Sequence, residues 1–200
     1  MSPRPSEPRV DRLAHPSSGH FDLGTGYHGD VWLDLDALFL RPATLRPHLR
    51  LLADQLRLHR IEAICGPMEG GALLAFALAD LLGAAYLPAY RRSGPGSAEL
   101  AGYRLPAVSG GVSGWRVAVV DDAVNAGTAV LSCFRQLRDA GAVPVAVAAL
   151  LALGDATAIV TSTMSVPFYS ADSISSRAWR AEECPLCASG TPLTDPASSD

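Results

Sequence analysis

The chain has 200 residues, 48% of them hydrophobic, and a formal charge of −4, which fits a single domain with one substantial core. All 16 basic residues are arginine, so lysine catalysis is excluded, and the broad positive field that nucleic-acid binding needs is missing. Asp80 and Gly83 interrupt the longest apolar stretch, which argues against a membrane span. Residues 1–18 are polar and proline-rich without a signal-peptide core, so we expect a flexible N-terminal segment and a cytoplasmic protein.

The first third of the chain predicts a hairpin followed by helical and strand segments. Residues 19–36 alternate around Gly24 and Gly26, which is typical of a β-hairpin. Residues 41–60 carry leucines at helical spacing among charged residues and predict an amphipathic helix. The apolar residues 61–65 then predict a short strand, followed by a glycine-rich turn at 66–71 and a helix. A strand, a glycine-rich turn and a helix in succession are typical of an anion-binding loop.

Residues 84–90 predict another strand, and a long irregular segment follows it. Residues 93–114 are rich in glycine, serine and proline and show no sustained periodicity. A loop of this length in a compact domain is typically a lid or a disordered segment. The polar residues in and before it that could bind an anionic leaving group are Arg91, Arg92, Tyr103 and Arg104.

Residues 115–131 form the most informative stretch of the sequence. Residues 117–120 are apolar and β-branched, which predicts a buried strand of a parallel sheet that ends at Asp121 and Asp122. Residues 123–127 predict a tight turn, and a helix with regularly spaced apolar residues follows. Free backbone N–H groups at the start of a helix favour a phosphate, and paired acids favour vicinal hydroxyls or a metal ion. Together they indicate a ribose 5-phosphate site, although a solvated Asp-Asp turn before an ordinary helix is the generic alternative.

The C-terminal third predicts two strands and an unusual tail. Residues 143–153 form a long apolar run after a helix stop at Gly141, and residues 166–170 predict a last strand. The tail contains one Cys-x-x-Cys, at Cys184 and Cys187. A structural zinc site needs four ligands, and the sequence near the tail offers no second cysteine pair or histidine pair. Zinc would therefore need ligands from another chain, and we interpret the tail as a feature of unknown purpose rather than a metal or redox centre.

The alternation of strands and helices from residue 41 to residue 153 predicts an α/β fold with a central parallel sheet flanked by helices. Both predicted anion loops would lie at the carboxyl ends of its strands, where such folds bind ligands.

Four segments resemble one enzyme family. Residues 119–129, Val-Val-Asp-Asp-Ala-Val-Asn-Ala-Gly-Thr-Ala, resemble the phosphoribosyl-diphosphate (PRPP) signature of type I phosphoribosyltransferases. Residues 66–71 resemble the Gly-Pro-x-x-x-Gly diphosphate loop of the orotate phosphoribosyltransferases in that family. Residues 19–36 resemble their N-terminal ribbon, and residues 184–193 resemble the Cys-Pro-x-Cys-x-x-Gly-x-Pro-Leu ending of some of them.

The resemblance implies a type I phosphoribosyltransferase fold with a small hood made from both chain termini. It divides the chain into a flexible segment 1–18, a domain over 19–193 and a flexible C-terminus over 194–200. The implied enzyme is a glycosyltransferase of pyrimidine nucleotide biosynthesis that moves the 5-phosphoribosyl group from PRPP to a base, with orotate as the first-choice acceptor. It also implies Mg²⁺ as the cofactor and a homodimer in which loop 91–114 lies near the partner site.

The same resemblance assigns roles to individual residues. It implies that Asp121, Asp122, Arg92 and Arg104 serve catalysis, with Mg²⁺ bound through PRPP near the two acids. The residues implied to bind the 5′-phosphate are Asn125, Ala126, Gly127, Thr128 and Ala129. The implied diphosphate loop consists of Pro67, Met68, Glu69, Gly70 and Gly71. The residues implied to contact the base are Thr25, Gly26 and His28 of the hood, and Asn125.

Three departures from the family pattern concern ligand binding. Glu69 and Gly70 take places where an aromatic residue and a lysine are common, and the lysine and histidine of the mobile loop are missing. The arginine that grips the orotate carboxylate in the family falls at Leu153 by direct counting. Transfer to another base, a PRPP-binding regulatory protein without turnover and a general nucleotide-binding module therefore remain as alternatives.

Overall fold

The computed structural model describes residues 9–24, 26–92, 102–108 and 110–196. The strands in chain order are β1 (Ser17–Asp22), β2 (Tyr27–Trp32), β3 (Ala63–Pro67), β4 (Ala85–Arg91), β5 (Tyr103–Arg104), β6 (Arg116–Val124), β7 (Val143–Leu153), β8 (Phe168–Ile174) and β9 (Ala178–Arg180). The helices are α1 (Val10–Leu13), α2 (Pro42–Arg57), α3 (Ala72–Leu82), α4 (Thr128–Asp139), α5 (Ala156–Met164) and α6 (Pro185–Ala188). Short 3-10 turns occur at Asp36–Leu38 and Ala181–Glu183.

The larger sheet has the strand order β5-β4-β3-β6-β7-β8. All of its neighbouring strands are parallel except β5, which pairs antiparallel with the end of β4. The predicted parallel α/β architecture is therefore confirmed. Because β3 and β6 are adjacent and parallel, the loops that follow them, which carry the two glycine-rich motifs, meet at one edge of the sheet.

Helices cover both faces of this sheet, and each face has its own hydrophobic cluster. Ile64, Ala118 and Val120 pack toward α2 and α3, whereas Cys65 and Val119 pack toward α4 and α5. Successive residues of a strand point to opposite faces, so a central strand buried on both sides must be apolar at nearly every position. This explains why the strand sequences are continuous apolar runs rather than alternating ones.

A second, antiparallel sheet of order β1-β2-β9 forms the hood. The N-terminal hairpin supplies β1 and β2, and β9 adds to β2 with Tyr27 opposite Arg180. The C-terminal tail closes the other side, because Thr194 accepts a hydrogen bond from the Asp22 N–H and donates one to the His20 carbonyl. The hood therefore combines both ends of the chain.

The structure differs from the sequence prediction at three boundaries. Residues 10–13 form α1, and Val10 and Ala14 are fully buried, although we expected a flexible segment up to residue 18. β6 continues past both acids to Val124, because its ladder with β7 extends to the Val124–Ala152 pair. β5 lies within the stretch predicted to be irregular. None of the helices in the described part of the chain combines the length and apolar character needed to cross a membrane.

Candidate active site

Asp121 and Asp122 lie on β6 near its carboxyl end, and both are largely buried, at 7% and 8% exposure. The Asp122 N–H donates to Oδ1 of Asp121 at 3.1 Å, and the Ala123 N–H donates to Oδ1 of Asp122 at 2.6 Å. Within the described residues, neither acid forms an ion pair with a cationic side chain. The site therefore holds two buried carboxylates that protein cations do not neutralise.

Burial sets the ionisation of this acid pair. Desolvation raises the pKa of Asp121 well above its usual range, the neighbouring Asp122 carboxylate raises it further, and backbone hydrogen bonds from Asp122 and Gly71 oppose the rise. Desolvation likewise raises the pKa of Asp122, against the hydrogen bond from Ala123. Ligand hydroxyls or a metal ion at this position would compensate for the lost hydration.

The loop after β3 packs directly against the acids. A Cβ atom built on Gly70 would lie 2.8 Å from Oδ1 of Asp121, and the φ of Gly70 is +124°. A Cβ on Gly71 would lie 2.3 Å from the Val120 carbonyl oxygen. Because both positions exclude a side chain, only glycine lets the loop backbone approach the acid pair this closely. This contact gives a physical reason for glycine at position 70, where the resembling family commonly has lysine.

Glu69 forms an ion pair with Arg91 at the end of β4. The Glu69 Oε2 to Arg91 Nε distance is 2.6 Å, and both side chains are about half exposed. The Arg91 guanidinium also lies 5.9 Å from the Tyr103 ring centroid. Arg91 on the neighbouring strand therefore provides the counter-charge for the carboxylate in this loop.

The loop at residues 125–129 leads into α4 without a side-chain cap. Gly127 adopts a φ of +72° immediately before the helix, and as the N-cap residue it provides no side-chain hydrogen bond to the free N–H groups of the first turn. The first helical bond joins the Leu131 N–H to the Gly127 carbonyl at 2.9 Å. An uncapped helix start with a glycine turn suits an external anion.

Arg92 and Arg104 lie beyond this cluster in the described structure. Arg92 Nη2 donates to the Gln136 side chain at 3.1 Å, and the Arg104 guanidinium stacks 4.8 Å from the Tyr90 ring centroid. Both side chains are exposed. Their catalytic role stays a prediction. Residues 93–101, between the two arginines, and residue 109, between Arg104 and β6, lie outside the described residues.

A cavity of about 490 Å³ opens between the phosphate loop and the hood. Its walls come from the residue 125–128 turn, the β1–β2 turn, the start of α5 and the segment after β8. The lining residues are Leu23, Gly24, Tyr27, Asn125, Ala126, Thr128, Gly154, Asp155, Ile159, Ser176, Arg177, Ala178 and Trp179. Asn125 therefore lines a cavity that it shares with hood residues, and its contact with the base stays a prediction.

The other predicted hood residues take different positions. Gly26 forms part of the β1–β2 turn with a φ of +80°, and Thr25 lies outside the described residues. His28 does not line the cavity, because its imidazole is buried beside His20, Cys184 and Cys187. The expectation that no histidine pair lies near the Cys-x-x-Cys is wrong, since the hood hairpin brings two histidines to it.

Arg177 is a cavity residue that the sequence analysis did not identify. It is the one cation among the described residues that line the cavity, and Asp30 holds its backbone through hydrogen bonds of 2.7 Å and 3.2 Å. The family pattern places the arginine that binds the orotate carboxylate at the end of β7, where this chain has Leu153. The available signal was an arginine just beyond β8, at the same edge of the sheet as the anion loops.

Comparison with known proteins supports one family, although no family model matches the chain. An orotate phosphoribosyltransferase of Caldanaerobacter subterraneus subsp. tengcongensis is 30% identical over 188 residues, which cover 94% of this chain and 93% of that protein. The crystal structure of orotate phosphoribosyltransferase from Aeropyrum pernix is 25% identical with a TM-score of 0.63, over 80% of this chain and 88% of that one. Adenine phosphoribosyltransferase from Thermoanaerobacter pseudethanolicus shares the fold at 18% identity with a TM-score of 0.63, over 82% of this chain and 98% of that one.

The chain is a type I phosphoribosyltransferase, because it has the parallel sheet with acids on its central strand and because the similar proteins belong to that class. Within that class, the chain belongs to the orotate phosphoribosyltransferase family. The predicted family, fold and glycosyltransferase class are thereby confirmed.

Proposed function

We propose that the protein transfers the 5-phosphoribosyl group of PRPP to a ring nitrogen of orotate and releases diphosphate. The observation that carries this proposal is the buried acid pair at the meeting point of two glycine-rich loops. One loop offers an uncapped helix start for the 5′-phosphate, and the other, whose Gly70 and Gly71 lie against the acids, is the proposed diphosphate loop. The acids between them match the ribose hydroxyls.

The position of each PRPP group follows from charge and hydrogen bonding. The 5′-phosphate would bind the N–H groups of residues 125–129, where the α4 dipole favours an anion. The ribose hydroxyls would donate to Asp121 and Asp122. The diphosphate would bind along residues 67–71, whose Glu69 carboxylate is already paired with Arg91 and repels it less.

Mg²⁺ fits this site because, among the residues that the structure describes, the two buried carboxylates form no ion pair with a cationic side chain. The ion would be held through PRPP near Asp121 and Asp122, and when bound it would neutralise charge on the leaving diphosphate. The residues of the chain then act by positioning, since the loops and the acids fix the ribose while the transition state develops positive charge on the sugar. Nearby carboxylates stabilise that charge electrostatically.

Arg177 supports orotate as the acceptor. A base that carries a carboxylate needs a cation in its pocket, because an unpaired carboxylate is costly to desolvate. Leu153 cannot provide one, whereas Arg177 lines the cavity together with Asn125 and Tyr27. Asp155 lines the same cavity, and its negative charge would disfavour an anionic base that approached from its side.

The test is diphosphate release by the full chain with PRPP, Mg²⁺ and a panel of bases. We expect turnover with orotate and much less with uracil, which lacks the carboxylate, and with adenine, which has a different shape. Turnover with a purine alone would overturn the acceptor assignment, and absence of base-dependent release would overturn the transferase proposal.

We also propose that the enzyme is a homodimer formed through α3. Leu73 and Phe76 are 60% and 63% exposed on this helix, and the Phe76 ring packs edge-on against Tyr86, which donates a hydrogen bond to the Met68 sulfur. An apolar patch of this kind next to the diphosphate loop suits an interface. A second copy of the chain is the proposed occupant, which would bring loop 91–114 near the partner site.

A further inference from the structure

Two histidines from the hood and two cysteines from the tail converge in the described structure. His20 lies on β1, His28 lies on β2, Cys184 precedes α6 and Cys187 lies within it. Their four ligand atoms all lie within 4.8 Å of one another. His20, His28 and Cys184 are buried, and both cysteines are free thiols.

Four of the six ligand–ligand distances in this cluster are close to those of tetrahedral coordination, and all six lie within 4.8 Å. His20 Nε2 lies 3.2 Å from His28 Nδ1, 3.4 Å from Cys184 Sγ and 3.7 Å from Cys187 Sγ, and Cys187 Sγ lies 3.3 Å from His28 Nδ1. Zinc bonds of about 2.0–2.1 Å to nitrogen and about 2.3 Å to sulfur would separate ligands in a tetrahedron by about 3.3–3.8 Å. Pairwise hydrogen bonds would account for single contacts but not for four metal-ligand atoms gathered within 4.8 Å.

The surroundings of His20 fix its ring for coordination. Its Nδ1 lies 2.9 Å from the Thr191 carbonyl oxygen. A carbonyl only accepts hydrogen bonds, so Nδ1 carries the proton and the lone pair of Nε2 faces the cluster. Metal-bound histidines commonly donate their second ring N–H to a carbonyl or carboxylate in this way.

We propose that this cluster binds one Zn²⁺ ion through His20, His28, Cys184 and Cys187. Two imidazoles and two thiolates in tetrahedral arrangement select zinc over Mg²⁺ or Ca²⁺, which prefer oxygen ligands. Four protein ligands leave no open position, so the site is structural rather than catalytic.

The zinc site would tie the hood to the C-terminal tail. Tyr27 lines the cavity, and the next residue on the same strand, His28, is one of the four zinc ligands. The metal would therefore stiffen the hairpin that forms one wall of the base cavity. The site does not depend on the proposed acceptor, because none of its four ligands belongs to the proposed PRPP-binding loops at residues 67–71 and 125–129.

The experiment is metal analysis of the full chain purified under reducing conditions. We expect about one zinc ion per chain by elemental mass spectrometry, and loss of that zinc in Cys184→Ser and in His28→Gln. Matched controls are Cys133→Ala and His59→Gln, which change a cysteine and a histidine outside the cluster and should retain zinc. Full zinc content in Cys184→Ser, or zinc loss in both controls as well, would overturn the assignment.

A second measurement on the unmodified chain covers the case in which the ligand variants do not fold. We expect Co²⁺ exchanged into the wild-type protein to show the strong visible absorption of a tetrahedral site together with thiolate charge-transfer bands. We also expect metal removal by a chelator to lower Tm. A protein that takes up neither Zn²⁺ nor Co²⁺ under reducing conditions would overturn the proposal, whatever its transferase activity.

Discussion

Gly70 and Asp121 approach so closely that a single added Cβ atom would lie 2.8 Å from the Asp121 carboxylate. The contact joins the loop after β3 to the central strand β6. It also keeps the backbone of the diphosphate loop beside the acids, where ribose and diphosphate would meet in the proposed complex.

Substitution of Gly70 by alanine should therefore damage the site. The methyl group would push the loop from Asp121, and the positive φ adds strain of about 1 kcal/mol. We expect kcat/KM for PRPP to fall at least about tenfold, as one lost positioning contact implies. Steady-state diphosphate release measures this effect.

Gly83→Ala is the matched control for this substitution. Gly83 also has a positive φ, of 64°, but a Cβ atom there would meet nothing within 4 Å. It should lose comparable stability and keep its kcat/KM. An equal loss of activity in both variants would show that strain alone, and not the contact with Asp121, explains the defect.

Neutralisation of Asp121 should raise the thermal stability of the protein and lower its transferase activity. The folded-state pKa of Asp121 is raised, so the folded protein holds a proton more tightly than the unfolded chain does. Wild-type stability therefore falls as pH rises from the unfolded pKa, about 4, through the folded pKa. Asp121→Asn removes that loss and should raise Tm at neutral pH, with the difference vanishing below about pH 4.

The same Asp121→Asn variant should lose turnover by about 10²–10³-fold, because its amide cannot stabilise positive charge on the ribose. Asp139→Asn, on the exposed end of α4, is the control and should change neither property. Thermal melts over a pH series and diphosphate release provide the two readouts. A lower Tm for Asp121→Asn at neutral pH would contradict the buried-acid argument.

The ion pair of Glu69 and Arg91 predicts that the rise in KM for PRPP caused by one substitution is reversed by a second substitution in the same chain. Arg91→Gln would leave the Glu69 carboxylate without its partner next to the diphosphate, and we expect KM for PRPP to rise about tenfold. Glu69→Gln in the same chain should restore most of that loss. Because the pair is half exposed, the stability change should stay within about 1 kcal/mol. Additive effects on KM would show that the two side chains act independently.

The sequence predicted the parallel sheet and the central motif because their determinants are local. Continuous apolar runs report burial on both faces, and the glycine-rich turns lie next to the strands that they follow. The zinc ligands could not be found in this way, since His20 and Cys184 meet only after the hood has joined the two ends of the chain. Arg177 was missed for the same reason, because its cavity is built from four separate segments.

The exposed face of α3 predicts the oligomeric state. Phe76→Glu would place a charge in the proposed dimer interface, and loss of a central aromatic contact typically costs at least about 2 kcal/mol of binding. We therefore expect light scattering coupled to size-exclusion chromatography to report a dimer for wild type and a monomer for Phe76→Glu.

Leu40→Glu provides the control for the interface, because Leu40 is 79% exposed and lies before α2 rather than on α3. This variant should remain dimeric at the same protein concentration. A monomeric wild type would refute the dimer, and dissociation of the Leu40→Glu variant while Phe76→Glu stays dimeric would show that the interface does not lie on α3. If the partner's loop completes the active site, Phe76→Glu should also lose turnover, and that loss should be smaller at higher protein concentration because mass action favours reassociation.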